Sequence, residues 1–334
     1  MHGCPNQSMG EEFQILAFST PKLAHFPLFT GILLMYLATI LGNLTIITLV
    51  CAVPKLHTPM YFFLSNLAAV DIASTSACVP KLLLITITED HTISFQNCMV
   101  QMFFVMLCSG GEIFVLTSMA YDRYVAICKP LQYFIIMNNR LCISLVIWSW
   151  ATASLNSLLH TLLTTELLFC FSRDINNFFC DLNVLISMSS SDTMSRKLLI
   201  LFEGTIIAFL PFVLTIVSYV FIISTILKIK SSDGRYKIFS SCTSHLITVI
   251  LFYGPSYFLY MKSKFLETNE QDKVLAMLYV VVVPMLNPLV YSLRNKDIWD
   301  AIITLGKKWR FFYKQYISNS SSERLKTIEV GREH

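Results

Sequence analysis

The sequence predicts an all-α membrane protein: a seven-transmembrane helix bundle with a short amphipathic helix after the last span. Of its 334 residues, 54% are hydrophobic and only 14% are charged, whereas soluble domains carry about 25% charged residues. The apolar residues fall into seven stretches of roughly 20 residues or more, the length that crosses about 30 Å of hydrocarbon. These stretches, spans one to seven, are 26–50, 59–83, 95–121, 141–163, 198–227, 239–261 and 274–293.

The segments between the spans indicate the orientation. With the N-terminus outside, the inner segments carry about twice as many lysines and arginines as the outer ones, as the positive-inside rule requires. We therefore expect a multi-pass plasma-membrane protein with an extracellular tail at 1–25, a bundle at 26–293 and a cytoplasmic helix and tail at 294–334. The net charge of +4 reflects this bias and not nucleic-acid binding.

The two ends of the chain carry weaker signals. A sequon beginning at Asn6 predicts glycosylation of the outer tail. No cleavable signal peptide is evident, so span one is expected to serve as an uncleaved anchor. After span seven, apolar residues at helical spacing predict a helix lying on the inner leaflet; they are Ile298, Trp299, Ile302 and Ile303.

Several charged residues lie in or at the edge of the predicted spans, among them two pairs that matter for function. Charges there cost several kcal/mol unless they are paired or held at the interface, so they are functional by default. Asp122 and Arg123 end span three, and the alternative is an ion pair that only stops the helix from sliding. Asp71 and Glu112 lie mid-bilayer, where two acids either share a proton or hold a cation.

Several motifs occur together along the chain. They read LGN at 41–43, LHTPMYFFLSNLAAVD at 56–71, MAYDRYVAICKPLQY at 119–133, SY at 218–219, KIFSSCTSHL at 237–246 and PMLNPLVYSLRNKDI at 284–298. In this order they resemble the odorant (olfactory) receptors of the rhodopsin-like G-protein-coupled class, over about residues 13–303. The resemblance implies a receptor, not an enzyme, that binds small, mostly apolar volatiles and activates a stimulatory G protein to raise cyclic AMP.

The resemblance also implies roles for individual residues. Arg123 pairs with Asp122 at rest and meets the G protein after activation, while Tyr219 and Tyr291 swing inward. The full set expected to act in coupling and activation is Asp122, Arg123, Tyr124, Tyr219, Asn287, Pro288 and Tyr291. No cofactor is expected apart from a sodium ion as allosteric modulator, held near Asn43, Asp71, Glu112 and Asn287. A hydrogen-bond network without an ion is the alternative.

Two outer cysteines are implied to form a disulfide, Cys98 with Cys180. A second bridge is usual in the family, from the position of Cys170 to a cysteine for which this chain has Ser190. We therefore expect Cys170 to be free, unless it pairs with Cys4 in the tail. The other cysteines are expected to be packed thiols.

The ligand site is predicted on the inward faces of the outer half-spans. Val105, Met106, Ser109 and Gly110 share one face of span three because residues three and four apart are neighbours on a helix. The resemblance adds Glu203, Ile207, Tyr253, Ser256, Tyr257, Tyr260, Met277 and Val280. These residues would form a mostly apolar cavity, with Ser109 or Tyr260 as the polar contact to the ligand.

Two residues of this set are open to other interpretations. Gly110, with its neighbour Gly111, either widens the pocket or lets span three pack closely. Glu203 either accepts a hydrogen bond from a ligand hydroxyl or amine, or pairs with Lys197 or Arg173 near the outer loop.

Other classes of protein are less consistent with the sequence. A transporter or channel would explain the acids within the spans, but no internal repeat is present. A membrane enzyme would need a catalytic motif, and none of the common ones occurs. A receptor for a charged amine typically has an acid where this chain has Val105 and Met106, so a neutral ligand is favoured. The expected partners are a volatile odorant, a heterotrimeric G protein, membrane lipid and, as a further candidate, a trafficking chaperone; nucleic acid is not among them.

Overall fold

The computed structural model describes residues 12–18, 21–170, 172–191, 193–262, 270–293 and 295–307. Its long helices follow the predicted spans, each extended by a few residues. They are His25–Ala52, Pro59–Thr88, Phe95–Cys128, Asn139–Thr165, Met194–Leu227, Ser232–Lys262 and Glu270–Ser292. The chain is therefore a multi-pass, seven-helix membrane bundle, and the prediction of the fold class is confirmed.

Span six differs from the other spans in its composition. Within the described residues, six helices are long and apolar enough to cross a membrane, and Ser232–Lys262 is not among them although it has 31 residues. Its inner end carries the exposed Asp233 and Arg235, and its buried residues include Ser244, His245 and Thr248 beside apolar ones. These polar residues lower its hydropathy, and Ser244 and His245 make contacts within the bundle, to the Val290 and Leu116 carbonyls.

Local signals set where the spans begin and end. Ser94 precedes span three, and its hydroxyl accepts a hydrogen bond from the Asn97 amide over 3.3 Å. Asn138 caps span four in the same way, accepting from the Leu141 amide over 3.0 Å. Such side chains satisfy amides that the first helical turn leaves without partners. Spans five and seven each widen into a π-helix, at Thr205–Phe209 and Leu278–Val282.

A small sheet covers part of the outer face, which we define as the face that holds the N-terminal segment. Its strands are β1 (Glu12–Ile15), β2 (Thr92–Ser94) and β3 (Asp174–Ile175), in the order β2-β1-β3. Strand β1 is antiparallel to β2 and parallel to β3. Phe13 and Ile15 are buried at 3% and 0% exposure. The sequence predicted only a tail here, so residues 12–18 are a part of the fold that it missed.

A buried lysine attaches this N-terminal segment to span seven. The Lys273 ammonium donates to the Ala17 carbonyl over 2.6 Å and to Glu270 Oε1 over 2.9 Å, and the residue is only 1% exposed. Ala17 has a φ of 42°, an uncommon backbone conformation for a residue with a side chain. Strand β1 is therefore held from both the loops and the bundle.

The opposite, inner face carries the helix predicted after span seven, at 296–307. Its Ile298 and Ala301 are buried in the inner core of the bundle, whereas Trp299 and Ile303 are about half exposed, at 48% and 53%. Lys55 Nζ, in the first inner loop, lies 2.7 Å from Asp297 Oδ1. The helix itself is confirmed, and its contact with the inner leaflet stays a prediction.

Candidate functional site

The outer half of the bundle brings together four of the predicted ligand-site residues. Val105 and Val280 are buried in one apolar cluster, which also contains loop residues, and Met106 and Met277 pack against it. These four residues lie on spans three and seven, so their proximity depends on how the helices are arranged. The apolar character expected of this region is therefore present.

The remaining predicted ligand-site residues are less uniformly placed. Ser109, Ile207 and Ser256 are half-buried, and the Tyr253 ring lies 4.9 Å from that of Phe212, deeper in the bundle. Tyr257 is 56% exposed, so we do not retain it in a buried site. The side chain of Tyr260 lies outside the described residues.

The structure distinguishes between the two interpretations of Gly110. A Cβ atom placed there would lie 3.1 Å from Ala153 Cβ and 3.5 Å from Ala153 Cα. Gly110 therefore permits the close approach of spans three and four and does not widen a pocket. Gly111 is less constrained, because a Cβ there would lie 3.7 Å from the nearest side chain, that of Val70.

Glu203 contacts a residue that the sequence analysis missed, His160 of span four. His160 Nε2 lies 2.5 Å from Glu203 Oε2, and the side chains are 5% and 18% exposed. The nitrogen and the oxygen are within ion-pair distance, but Glu203 Oε2 has no hydrogen-bond partner among the described residues. The partners that we expected were a ligand or the outer-loop cations Lys197 and Arg173; the Lys197 side chain lies outside the described residues. A histidine within an apolar span was the available signal.

Two cysteines hold the long outer loop against span three, as the resemblance implied. Cys98 and Cys180 are joined, with their Cα atoms 5.5 Å apart. Gln101 strengthens the attachment, because its Oε1 accepts from the Cys180 amide over 2.9 Å and its Nε2 donates to the Ala77 carbonyl over 2.9 Å. The loop continues into a short helix, Leu182–Met188.

The expectation of a free Cys170 was wrong, because Cys170 is disulfide-bonded. The alternative that we named, Cys4, lies outside the described residues. Ser190 does not leave a gap where the family has a cysteine: its hydroxyl accepts from the Cys170 amide over 3.1 Å, and its own amide donates to Leu168 over 2.8 Å. Hydrogen bonds therefore join the two ends of the loop at this position.

Asp181 caps the short loop helix. Its Oδ1 accepts from the Asn183 and Val184 amides over 2.9 and 3.2 Å. Burial raises the pKa of Asp181, and the two amide hydrogen bonds oppose that rise. The carboxylate is thus used as a cap at some cost in desolvation.

Polar side chains meet in the middle of the bundle at the expected sodium position. Asn287 Nδ2 donates to both Asp71 oxygens, over 3.2 and 3.0 Å. Asn43 instead donates to the Thr39 and Pro284 carbonyls, both over 3.0 Å. Glu112 Oε1 and Asn287 Oδ1 are buried and have no hydrogen-bond partner among the described residues. Two acceptor oxygens therefore remain unsatisfied beside Asp71.

At the inner end of span three, two residues surround a fully buried acid, Asp122. Arg123 Nη2 and Nε donate to Asp122 Oδ2 over 2.6 and 3.1 Å. Tyr133, in the loop before span four, donates to Asp122 Oδ1 over 2.7 Å. Burial and the adjacent Asp122 raise the pKa of Tyr133. We call these three residues the Asp122 cluster.

A second polar contact joins spans three, five and six. The Tyr219 hydroxyl lies 2.6 Å from His245 Nδ1, and His245 Nε2 lies 3.1 Å from the Leu116 carbonyl. Because a carbonyl can only accept, Nε2 carries the proton, so Nδ1 accepts from the Tyr219 hydroxyl. Tyr219 was expected from the resemblance, but its partner was not.

A cavity of about 1250 Å³ opens beside the Asp122 cluster on the inner face. Its lining includes Arg123, Tyr133, Arg140, Tyr291 and Asn295, which come from spans three, four and seven and the loops between them. The cavity therefore places the arginine of the Asp122 cluster within reach of a molecule that approaches this face.

Comparison with known proteins identifies the family. A sequence model described as "Olfactory receptor" matches residues 32–308. The chain belongs to the olfactory receptor family. It is 46% identical to human olfactory receptor 1F1 over 297 residues, which cover 89% of this chain and 95% of that protein. It is 44% identical to rat olfactory receptor 1468 over 298 residues, with the same coverage, and 44% identical to mouse olfactory receptor 5G29 over 306 residues, covering 92% and 98%.

Membership of this family agrees with the geometry. An olfactory receptor is a receptor and not an enzyme, and this one has a multi-helix bundle with polar contacts at its inner end and an apolar cluster at its outer end.

Proposed function

We propose that this olfactory receptor binds small, mostly apolar volatiles in the outer half of its bundle and activates a stimulatory G protein, which raises cyclic AMP. The observation that carries the proposal is the Asp122 cluster beside the inner cavity: Arg123 is held by Asp122, 2.6 Å away, at the edge of a space large enough for a helix end of a partner. Release of Arg123 would make a cationic contact available to the G protein.

Ligand binding is proposed to rest on packing. Val105, Met106, Met277 and Val280 supply apolar surface, and burying apolar surface gains about 25 cal/mol per Å². A molecule as small as a volatile then reaches micromolar affinity or weaker. Ser109 or Tyr260 remains the candidate polar contact within the predicted set.

Coupling to the inner face is proposed to work through the contacts between spans three, five and six. The link from Tyr219 through His245 to the Leu116 carbonyl holds the inner halves of these spans together. Outward movement of span six would break it, and Tyr219 and Tyr291 would then be free to support Arg123. Asn287 and Pro288 supply the polar contact and the kink in span seven.

The experiment is replacement of Arg123 by alanine in cells with a cyclic AMP reporter. Arg123→Ala is expected to abolish the agonist-dependent signal while surface expression stays near that of the unmodified receptor. Arg196→Ala is the matched control, because Arg196 pairs with Glu166 on the outer face, over 3.1 Å. Undiminished signalling by Arg123→Ala would refute the coupling assignment.

We also propose that sodium acts as an allosteric modulator at Asn43, Asp71, Glu112 and Asn287. The unsatisfied oxygens Glu112 Oε1 and Asn287 Oδ1 support it, since hard cations take oxygen ligands. Raising sodium against choline at constant ionic strength should raise the unfolding temperature of the purified receptor, and Asp71→Asn should remove the effect. An equal response to both cations would contradict the proposal.

The cellular setting is proposed on the same basis. The N-terminal segment, the loops after spans two and four, and Lys273 lie together on one face, which we assign to the outside of the plasma membrane. The opposite face, with 296–307, is then cytoplasmic. Lipid and a trafficking chaperone are proposed as further partners. Glycosylation at Asn6 falls outside the described residues, and accessibility of an N-terminal epitope tag on intact cells tests the orientation.

A further inference from the structure

The contact between His160 and Glu203 lies beside the proposed ligand site. His160 is on the buried face of span four with Ala153 and Ser157. Ala153 touches Gly110, and the Ser157 hydroxyl donates to the Phe103 carbonyl over 2.5 Å, so this face of span four lies against the outer half of span three. His160, nearly one turn further out, therefore lies outside the level of Val105 to Gly110, towards the outer end of span three, and its partner Glu203 is itself one of the predicted ligand residues.

Glu203 reaches this position from span five. Only Gly204 lies between Glu203 and the π-helical segment Thr205–Phe209. Single π-helical turns within α-helices occur frequently at functional sites. A carboxyl group within a membrane span is costly unless it is paired, and His160 supplies that partner at 2.5 Å.

The pair offers a particular hydrogen-bonding capacity to a ligand. A carboxyl oxygen accepts hydrogen bonds, and Glu203 Oε2 lies buried against His160 without a hydrogen-bond partner among the described residues. The site can therefore receive a donated hydrogen bond beside apolar surface.

We infer that the His160–Glu203 pair recognises the hydroxyl group of an alcohol odorant. This rests on the proposed function and names the ligand class for that site. Aldehydes, ketones, esters and ethers present only acceptors. They could accept from an imidazole N–H but leave the Glu203 oxygen without a donor, whereas a hydroxyl can do both. A primary ammonium could donate, but it would have to leave water for a largely apolar surrounding, which is costly for a charged group. A hydroxyl donates without adding charge.

The experiment compares matched ligands on the full-length receptor with a cyclic AMP reporter. The probes are the straight-chain alcohols from pentanol to decanol, the aldehydes and primary amines of the same chain lengths, and the isomeric methyl ethers. The unmodified receptor is expected to respond to at least one alcohol with a potency at least about tenfold above its aldehyde, amine and ether counterparts, a difference of about 1.4 kcal/mol.

The double variant Glu203→Met/His160→Leu removes the hydrogen-bonding pair without leaving a buried charge. It should lose the preference for the alcohol while the potency of the ether is kept. Glu166→Gln is the matched control: it breaks the other ion pair between the ends of spans four and five, with Arg196 at 3.1 Å, where Glu166 is 67% exposed. The control should keep the preference.

Several outcomes overturn the inference. If the double variant reaches the surface normally but loses potency equally for all probes, the pair has only a structural role. A preference for the amine, or responses to other volatiles with none to any alcohol, contradicts the ligand class while the proposed function stands. If the receptor responds to no volatile at all, the proposed function itself is contradicted. The selectivity of the unmodified receptor between an alcohol and its isomeric ether decides the ligand class even if the double variant does not reach the surface.

Discussion

Removal of one hydroxyl from the Asp122 cluster should activate the receptor in the absence of ligand. Tyr133 donates to Asp122 Oδ1 over 2.7 Å, on the side of the carboxylate opposite to Arg123. Tyr133→Phe keeps the ring and deletes this bond, so Asp122 holds Arg123 in a less constrained position. The resting arrangement loses stability relative to any arrangement in which Arg123 has left Asp122.

The size of the effect follows from the type of bond. A hydrogen bond to a charged group contributes about 1.5–3 kcal/mol, and the lower end applies because Tyr133 is only half-buried. About 1.4 kcal/mol changes an equilibrium tenfold. If the active arrangement is about 1% populated at rest, within the usual range for a minor state, it would rise to roughly 10%.

The assay is cyclic AMP in the absence of ligand, divided by the amount of receptor at the cell surface. Tyr133→Phe should raise this ratio up to about tenfold. Tyr121→Phe is the control, since Tyr121 is 38% exposed and its ring lies tilted against that of Tyr124, with the ring centroids 6.3 Å apart. Because burial and Asp122 raise the pKa of Tyr133, its hydroxyl stays protonated near neutral pH, and the effect should be the same at about pH 6 and about pH 8. Unchanged or lower basal signalling at normal surface expression would show that the bond does not stabilise the resting state.

Two further predictions concern stability, measured as the unfolding temperature of the purified receptor. Gly42→Ala should lower it, because the new Cβ would lie 3.1 Å from two atoms of the rigid Pro288 ring; overpacking of about 1–3 kcal/mol outweighs a helix-propensity gain of about 1 kcal/mol. Gly31→Ala, in the same span with nothing within 4 Å of its Cβ, should be neutral or stabilising, and equal behaviour of the two variants would contradict the packing argument. Burial raises the pKa of Asp181, so its favourable contribution to the free energy of unfolding is fully present below the unfolded pKa of about 3.9. That contribution is lost as the pH rises through the folded pKa. Asp181→Asn keeps the cap acceptor without the charge and should therefore stabilise the receptor at neutral pH but not near pH 3, whereas Asp181→Ala should destabilise it at both; a lower unfolding temperature for Asp181→Asn at neutral pH would refute the assignment.

The sequence alone determined the membrane bundle and its family. The spans could be recognised because a bilayer requires about 20 consecutive apolar residues, which is a local property of the chain. The pairing of Asp122 with Arg123 was also local, since the residues are adjacent, and the motifs around 119–133 and 284–298 carried the resemblance. The helix at 296–307 was visible in its own apolar spacing.

The tertiary structure decided the features that depend on distant residues. Strand β1 has four residues and pairs with segments about 80 and 160 positions away, so no local sequence pattern predicted it. His160 could be read only as a buried histidine until span five placed Glu203 beside it, and the role of Gly110 depended on where Ala153 lies. Cys170 illustrates the same limit, because a missing partner at Ser190 did not exclude another. Hydropathy is a property of each segment by itself, whereas helix packing, long-range strand pairing and disulfide choice arise only when separate segments meet.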